Sequence, residues 1–385
     1  DLTKWGCTLE EAHEEAKQRW IWKGTSFHAL PADPIAALRT PLFTWHDKFG
    51  ILLEPFRPKG TDPNEDLASM VVRRLGKSYL DYAVDPFISG VYAGNPHALI
   101  TRFALPKLYN LEQNYGSFIR GAIAKRKEKK SDRERLATKK VFSAVGGIGH
   151  LTDALAQSVG LSNIILGANE VVVMPIGGQW QVEYTTETGE KVSLQSRNVI
   201  TTVGAYALKA MLPFVKAGDM APISALRYAP IVQVSVGLSN AHGIEHKAFG
   251  GLIPTCEQQQ LLGILFPSAC FSQRCPAEGA LFSFFLGGMK HGEMLGKTNE
   301  ELCEFVTKAL PKMLGFPQDV KPDMVQIFRH EHAIPQYELS SGARFAAVKR
   351  IEQAHPGLIL GGNLRDGIGM ADRIRQAVAM GLQIN

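Results

Sequence analysis

Through residues 63–140 apolar side chains recur three and four positions apart, in Leu67, Val71, Val72, Leu75 and Leu80, then in Leu105, Leu108 and Leu111, and again over 118–124. That spacing lines one face of successive helices, so the pattern predicts a helical insert. After Gly146-Gly147 the period shortens to two, and β-branched runs between turns predict strands at 163–166, 171–175, 180–185, 192–195 and 198–203. Thr186-Glu187-Thr188-Gly189-Glu190 reads as the hairpin turn between two of them, with Gly189 available for positive φ. A second set of predicted strands, 231–237, 261–266, 281–287 and 324–328, is interrupted by one helix near 300–314. The chain closes with a strand at 357–360, a Gly361-Gly362-Asn363 turn and a helix from about Met370.

Composition agrees with a globular α/β chain: 385 residues, 45% hydrophobic and 21% charged, are enough for two or three domains with sizeable cores. The longest apolar runs stop well short of the roughly 18 to 20 residues of a membrane-spanning helix. Five scattered cysteines (Cys7, Cys256, Cys270, Cys275, Cys303) form no CxxC pair, which argues against a disulfide framework and a structural zinc site and for reduced thiols. A net charge of +5 is too small to imply nucleic acid. The segment 124–140 stands apart, with nine Lys or Arg against three acidic residues. It is either a solvated face or a contact for an anionic membrane surface.

Several short motifs have plain readings. Gly147-Ile148-Gly149-His150-Leu151-Thr152 approaches a dinucleotide fingerprint but lacks the third glycine and a preceding buried strand, so it reads as a helix-capping turn. His242-Gly243-Ile244-Glu245-His246 spells a zinc-protease pattern, yet Gly243 and the adjacent strand place it in a loop. His330 and His332 share a strand face without a third ligand. The C-terminal unit is more suggestive. A buried strand ending in small residues and entering a helix lets backbone N–H groups approach a flat or anionic ligand, although any α/β domain carries similar units.

Longer strings carry a resemblance. Lys23-Gly24 followed by Leu30-Pro31, Gly90-Val91-Tyr92-Ala93-Gly94-Asn95-Pro96, Leu111-Glu112-Gln113, Ala248-Phe249-Gly250-Gly251-Leu252-Ile253-Pro254, Leu262-Gly263-Ile264-Leu265-Phe266 and Ala333-Ile334-Pro335-Gln336-Tyr337 occur in one order from about residue 15 to the end. Together with the turn at 357–372, this series resembles the protoporphyrinogen oxidase family of flavin amine-oxidase-like enzymes. Oxidases that form coproporphyrin belong to the same family.

The resemblance implies a mixed α/β fold: a Rossmann-like FAD-binding domain incomplete at its N-terminus, a mixed-sheet substrate domain and a helical membrane-associated insert. It implies boundaries at 1–32 (start of the substrate region), 33–142 (insert), 143–220 (part of the FAD domain), 221–332 (substrate sheet) and 333–385 (C-terminal FAD unit). Family members open with a strand, a GxGxxG turn and an acidic residue, so roughly 75 further residues are expected ahead of Asp1. The implied activity is oxidation of protoporphyrinogen IX to protoporphyrin IX, with FAD as hydride acceptor and O₂ as terminal oxidant. Coproporphyrinogen III oxidation, another flavin oxidoreductase activity such as carotenoid desaturation or amine oxidation, and a non-catalytic porphyrin-binding role stay open beside it. Arg19 is matched to a substrate propionate, Gly90 to the space beside the macrocycle, and Leu252, Leu265 and Phe285 to the apolar walls around the rings. Val171, Gly361, Gly362, Gly367, Ile368, Gly369 and Met370 are matched to FAD, with Asp372 in the same element. No catalytic side chain and no metal are implied. The expected partners are the porphyrinogen, O₂, a peripheral membrane surface and a second copy in a homodimer, with a cytoplasmic location at the inner face of the cell membrane.

Overall fold

The computed structural model describes residues 3–128 and 140–384. The chain divides into two compact units, Asp1–Gly160 with Ala229–Ala333, and Leu161–Tyr228 with Ile334–Asn385. Residues 143–160, expected with the FAD domain, thus fall in the first unit. Most of the basic segment 124–140 lies outside the described residues.

The first unit is built on a seven-stranded sheet in the order Met324–Pro335, Tyr228–Leu238, Ala280–Gly287, Leu261–Leu265, Gly250–Leu252, Arg19–Lys23, Ser26–Ala29. Gly250–Leu252 runs parallel to Arg19–Lys23 and antiparallel to Leu261–Leu265, so the sheet is mixed. On one face Val232, Val234, Val236, Phe282, Phe284 and Leu286 pack against Leu302, Val306, Leu310 and Leu314 of the helix Asn299–Leu314. A Thr298/Glu301 capping box starts that helix and Gly315 in the left-handed conformation ends it.

The insert is helical, as expected. Its helices include Pro34–Arg39, Trp45–Gly50, Leu67–Arg74, Asp85–Val91, Pro106–Tyr115 and Phe118–Lys127. Asp33, Thr44, Asp66 and Ser117 accept first-turn N–H bonds as N-caps. The helices are tied together by buried charge. Arg74 pairs with Glu54, both fully buried, and Glu54 also accepts from Ser117 Oγ and from the backbone N–H groups of Phe118 and Ile119. Among the described residues no helix is long and apolar enough to cross a membrane.

The second unit carries an antiparallel meander, Asn169–Ile176, Gln179–Thr185 and Lys191–Ser196, and a parallel pair, Val199–Thr201 with Leu358–Leu360. The 186–190 turn forms as expected, with Thr186 N–H donating to Glu190 O at 2.9 Å and Gly189 at φ +83°. Leu208, Leu212, Ile223, Val348, Ile351, Leu358 and Leu360 make its core. Residues 163–166 are not the predicted strand: Leu161–Asn163 is a single helical turn, and Ile165 and Leu166 are exposed. A β-branched run without a strand beside it has nowhere to place its backbone hydrogen bonds.

Candidate functional site

Cross-strand register brings the matched substrate residues of the first unit together. One row across the sheet reads Arg19, Gly250, Leu265, Ser283, Ser235. The row two residues along reads Ile21, Leu252, Gly263, Phe285, Gln233. Because side chains alternate faces, positions two apart share a face, and Arg19, Leu252, Leu265 and Phe285 therefore project from the same side, opposite Phe284 and Val234. Gly250 and Gly263 interrupt the bulk in both rows. Leu252, Leu265 and Phe285 are half-buried and Arg19 is exposed. The Arg19 guanidinium stacks 5.3 Å from the Phe249 ring centroid, and its contact with Lys17 O is long at 3.5 Å, so its fork keeps donors for a carboxylate.

Gly90 meets this face from the insert. It lies in the helix Asp85–Val91, and a Cβ at that position would overlap Leu252 Cδ2, so only glycine fits without moving the leucine. The helix is fixed at its start by Asp85, whose carboxylate accepts from Thr255 N–H at 2.8 Å and pairs with Lys290. Ile21 and Leu252 pack with Leu42, Phe43, Tyr79, Tyr82 and Ala83 of the insert. Neither row contains a carboxylate. Three polar members, Gln233, Ser235 and Ser283, were not singled out from the sequence, although the alternation Val232-Gln233-Val234-Ser235-Val236 carries the signal for two of them.

The residues matched to the cofactor all fall in the second unit. Strands Val199–Thr201 and Leu358–Leu360 run parallel, and a parallel sheet offers ligands the C-terminal ends of its strands. Gly361 and Gly362 follow one of those ends. Gly362 has φ +78°, and a Cβ there would lie 2.6 Å from Thr202 O. The loop onward to Gly369 is clamped from behind. The Tyr337 hydroxyl accepts from Gly367 N–H at 2.9 Å and faces Gly367 O at 3.2 Å, while Arg373 donates to Arg365 O and Gly367 O at 2.7 and 2.9 Å. Tyr228, which accepts from Ala205 N–H, donates to Asn363 Oδ1 at 3.0 Å. Burial pushes the Tyr337 and Tyr228 phenols up, so both stay protonated hydrogen-bonding groups.

Ile368 and Met370 flank Gly369 where the helix Met370–Gly381 begins. The Asp372 carboxylate faces its own turn: it accepts from Gly369 N–H at 3.1 Å and pairs with Arg375, which makes it a helix cap. Val171 sits at a bulge, where the register slips between Asn169 and Val172 and frees backbone from the ladder. Among the described residues of this unit, buried Thr201 Oγ1, Arg344 Nη1, Arg365 Nε and Arg373 Nε have no hydrogen-bond partner. A strand-end glycine turn held by arginines, with spare buried donors in the same unit, fits a polar anionic group such as the one FAD presents.

The remaining sequence motifs stay structural. His242 is exposed in a loop, and His246 Nε2 lies 3.0 Å from Leu314 O. His330 and His332 are exposed on the strand Met324–Pro335. No group of three His, Cys, Asp or Glu with metal-binding geometry occurs among the described residues.

Residues 10–373 match the family model described as flavin containing amine oxidoreductase. The chain is 28% identical over 386 residues to protoporphyrinogen oxidase 2, chloroplastic/mitochondrial, of Arabidopsis thaliana, an alignment covering 93% of this chain and 75% of that protein. It is 26% identical over 378 residues to protoporphyrinogen oxidase of Homo sapiens, covering 94% and 78%. Among solved structures, a candidate protoporphyrinogen oxidase from Exiguobacterium sp. superposes with a TM-score of 0.77 at 19% identity, covering 98% of this chain and 82% of that one. Cyclohexylamine oxidase from Brevibacterium oxydans superposes at 0.64 with 13% identity, covering 99% and 84%. At those identities the superpositions establish a shared fold.

Proposed function

The chain belongs to the flavin containing amine oxidoreductase family, and from that premise we propose that it oxidises protoporphyrinogen IX to protoporphyrin IX. It is an FAD-dependent oxidoreductase. When bound, FAD supplies the hydride acceptor and hands the electrons on to O₂.

The observation that carries the substrate reading is the pair of rows on the sheet face. A porphyrinogen is a large apolar ring system with carboxylate arms. Leu252, Leu265 and Phe285 offer apolar walls, Gly250 and Gly263 add no side-chain bulk to the rows, and Gly90 lets the insert helix come directly against Leu252. Arg19, exposed at the edge, takes a propionate, for which a planar guanidinium is the matching donor. These residues bind and orient the substrate. We assign no side-chain base, since neither row holds a carboxylate. Val171, Gly361, Gly362, Gly367, Ile368, Gly369 and Met370 would hold the cofactor through their backbone, and Asp372 would act through the cap it makes.

The test is to supply anaerobically prepared protoporphyrinogen and coproporphyrinogen in air and follow porphyrin fluorescence and H₂O₂. Faster turnover of protoporphyrinogen supports the reading. Faster turnover of coproporphyrinogen moves the chain to the coproporphyrin-forming branch, and turnover of neither, with oxidation of an amine or polyene, replaces the substrate altogether.

We also propose that the insert rests on an anionic membrane surface. Ile35, Leu38, Trp45, Phe49, Leu52, Leu53 and Phe56 are each more than half exposed within one short stretch. Lys48 and Arg120 lie over the Trp45 and Phe56 rings, an arrangement of apolar surface and cations suited to a lipid interface. Co-sedimentation with anionic liposomes should weaken when Trp45, Phe49 and Phe56 are changed together to Ser. Binding that ignores those three changes would refute this surface.

A further inference from the structure

Arg344 is a wholly buried guanidinium in the helix Ser341–Ala354. Its Nε donates to Leu364 O at 2.9 Å and its Nη2 to Ser341 Oγ at 3.1 Å, while Nη1 has no partner. Its Cζ lies 5.6 and 5.1 Å from the Tyr337 and Phe345 ring centroids. Every one of these partners is neutral. The contrast with Arg74 is direct, because that equally buried arginine meets the carboxylate of Glu54. Arg365, in the same unit as Arg344, meets Glu352.

A buried cation hydrogen-bonded only to neutral groups is unfavourable: burial holds the Arg344 pKa below its ordinary range, and the nearby Glu338 carboxylate, itself paired with Arg227, offsets this only in part. Such a charge persists where an anion completes it. Leu364 closes the helical turn Gly362–Leu364 that directly follows Gly361, so Arg344 touches the turn assigned above to FAD. Reduction of FAD by two electrons and one proton, the electrons coming from the substrate, leaves a net negative charge on the flavin ring. In a low-dielectric site a fixed positive charge favours that form over the oxidised one.

We propose that Arg344, bonded to Leu364 O and with Nη1 unpaired, is a positioning residue that orders the cofactor turn and strengthens binding of reduced FAD relative to oxidised FAD. The inference rests on the assignment of residues 361–370 to FAD.

The test uses the full FAD-loaded chain, with Arg344→Gln, Arg344→Lys and Gly362→Val beside the wild type. Bound flavin is measured after dialysis, the two-electron midpoint potential by dye equilibration, and melting with and without added FAD. The wild-type potential should lie above that of free FAD. Arg344→Gln keeps a hydrogen-bonding amide but loses the charge, and should change the reduced-to-oxidised affinity ratio at least tenfold, a fall of about 30 mV for a two-electron couple. Arg344→Lys should stay near the wild type. A wild-type potential at or below that of free FAD overturns the proposal without any variant having to fold. So does an unchanged potential in Arg344→Gln with an equal loss of melting temperature in both conditions, which would make Arg344 a brace only. Full flavin retention by Gly362→Val would instead overturn the assignment of the turn.

Discussion

The two faces of the seven-stranded sheet are made from the same strands at alternate positions, and they differ in almost every property. One face is continuous: Val234, Ile264 and Phe284 sit side by side with almost no exposure, closed over by the helix Asn299–Leu314. The other is discontinuous. Its rows mix an exposed arginine, a buried Ile21, half-buried Leu252, Leu265 and Phe285, two glycines and three small or amide side chains. The first face is what a sheet needs to exist, since close-packed apolar surface drives folding. The second is packed by the insert over Ile21 and Leu252 and is less closely covered elsewhere, and it carries the residues we propose for the substrate. Because the period is two, one strand serves both purposes, and a single residue step separates a stability residue from a candidate binding residue.

Phe284 and Phe285 provide the sharpest break of that comparison. Phe284→Ala removes a fully buried ring and should cost about 3 to 5 kcal/mol in urea unfolding. Phe285→Ala, on the half-buried side, should cost about 1 kcal/mol while weakening porphyrin binding, read by fluorescence titration. Equal stability losses from the two would mean that both faces are ordinary core.

Gly90 tests the close approach of the insert to this face. In Gly90→Leu the new side chain collides with Leu252 and must displace it from its place in the row. The expected result is a fall in kcat/KM of about tenfold or more, since a small misplacement of substrate is costly in rate. The urea midpoint should move far less, because Gly90 is exposed in its helix. Full activity in that variant would remove Gly90 from the site.

The contrast between the faces also marks what the sequence could reveal. Strands Tyr228–Leu238 and Ala280–Gly287 are legible because a valine or aromatic at every second position can only be a half-buried strand. Gly250–Leu252 is not legible locally. It has three residues, two of them glycine, and becomes a strand only because Arg19–Lys23 and Leu261–Leu265 satisfy its backbone on both sides. Without it the rows that unite Arg19 with Leu252, Leu265 and Phe285 cannot be drawn, so the resemblance suggests these residues singly and register places them on shared rows. The same holds in the second unit. The turn after Leu360 reads directly from Gly361-Gly362, whereas the side chains clamping it, Tyr228, Tyr337, Arg344 and Arg373, come from distant positions. An acid near a helix start has two readings from sequence, a ligand contact or a cap, and the bond from Gly369 N–H shows that Asp372 does make the cap.

Arg19 sharpens the comparison at the edge of the open face. It is exposed, so its pairing with a substrate carboxylate belongs at the low end of charge-assisted bonds, about 1.5 kcal/mol, or roughly tenfold in KM. Arg19→Ala should raise KM by that factor and leave the urea midpoint unchanged. A porphyrinogen with esterified propionates offers no carboxylate, so wild type and variant should then behave alike. A difference that persists with the ester would mean that Arg19 acts through something other than a propionate.

His246 gives the smallest effect, and it belongs to the closed side. Its ring lies 5.2 to 6.4 Å from those of Trp20, Phe266, Phe282 and Phe316. Burial draws its pKa below the usual histidine value, and the contact of Nε2 with Leu314 O only partly offsets this. A folded-state pKa below the unfolded one means that the unfolded chain binds more protons in the interval between them. The stabilising contribution is therefore complete above about pH 6.5 and declines as pH falls toward the folded-state value, by at most about 1.4 kcal/mol per pH unit for one proton. The urea midpoint of the wild type should fall more steeply between pH 7.5 and 5.5 than that of His246→Phe, whose ring keeps the aromatic packing without a proton to bind. Identical slopes would show that the imidazole titrates on the closed side of the sheet as freely as it does in water.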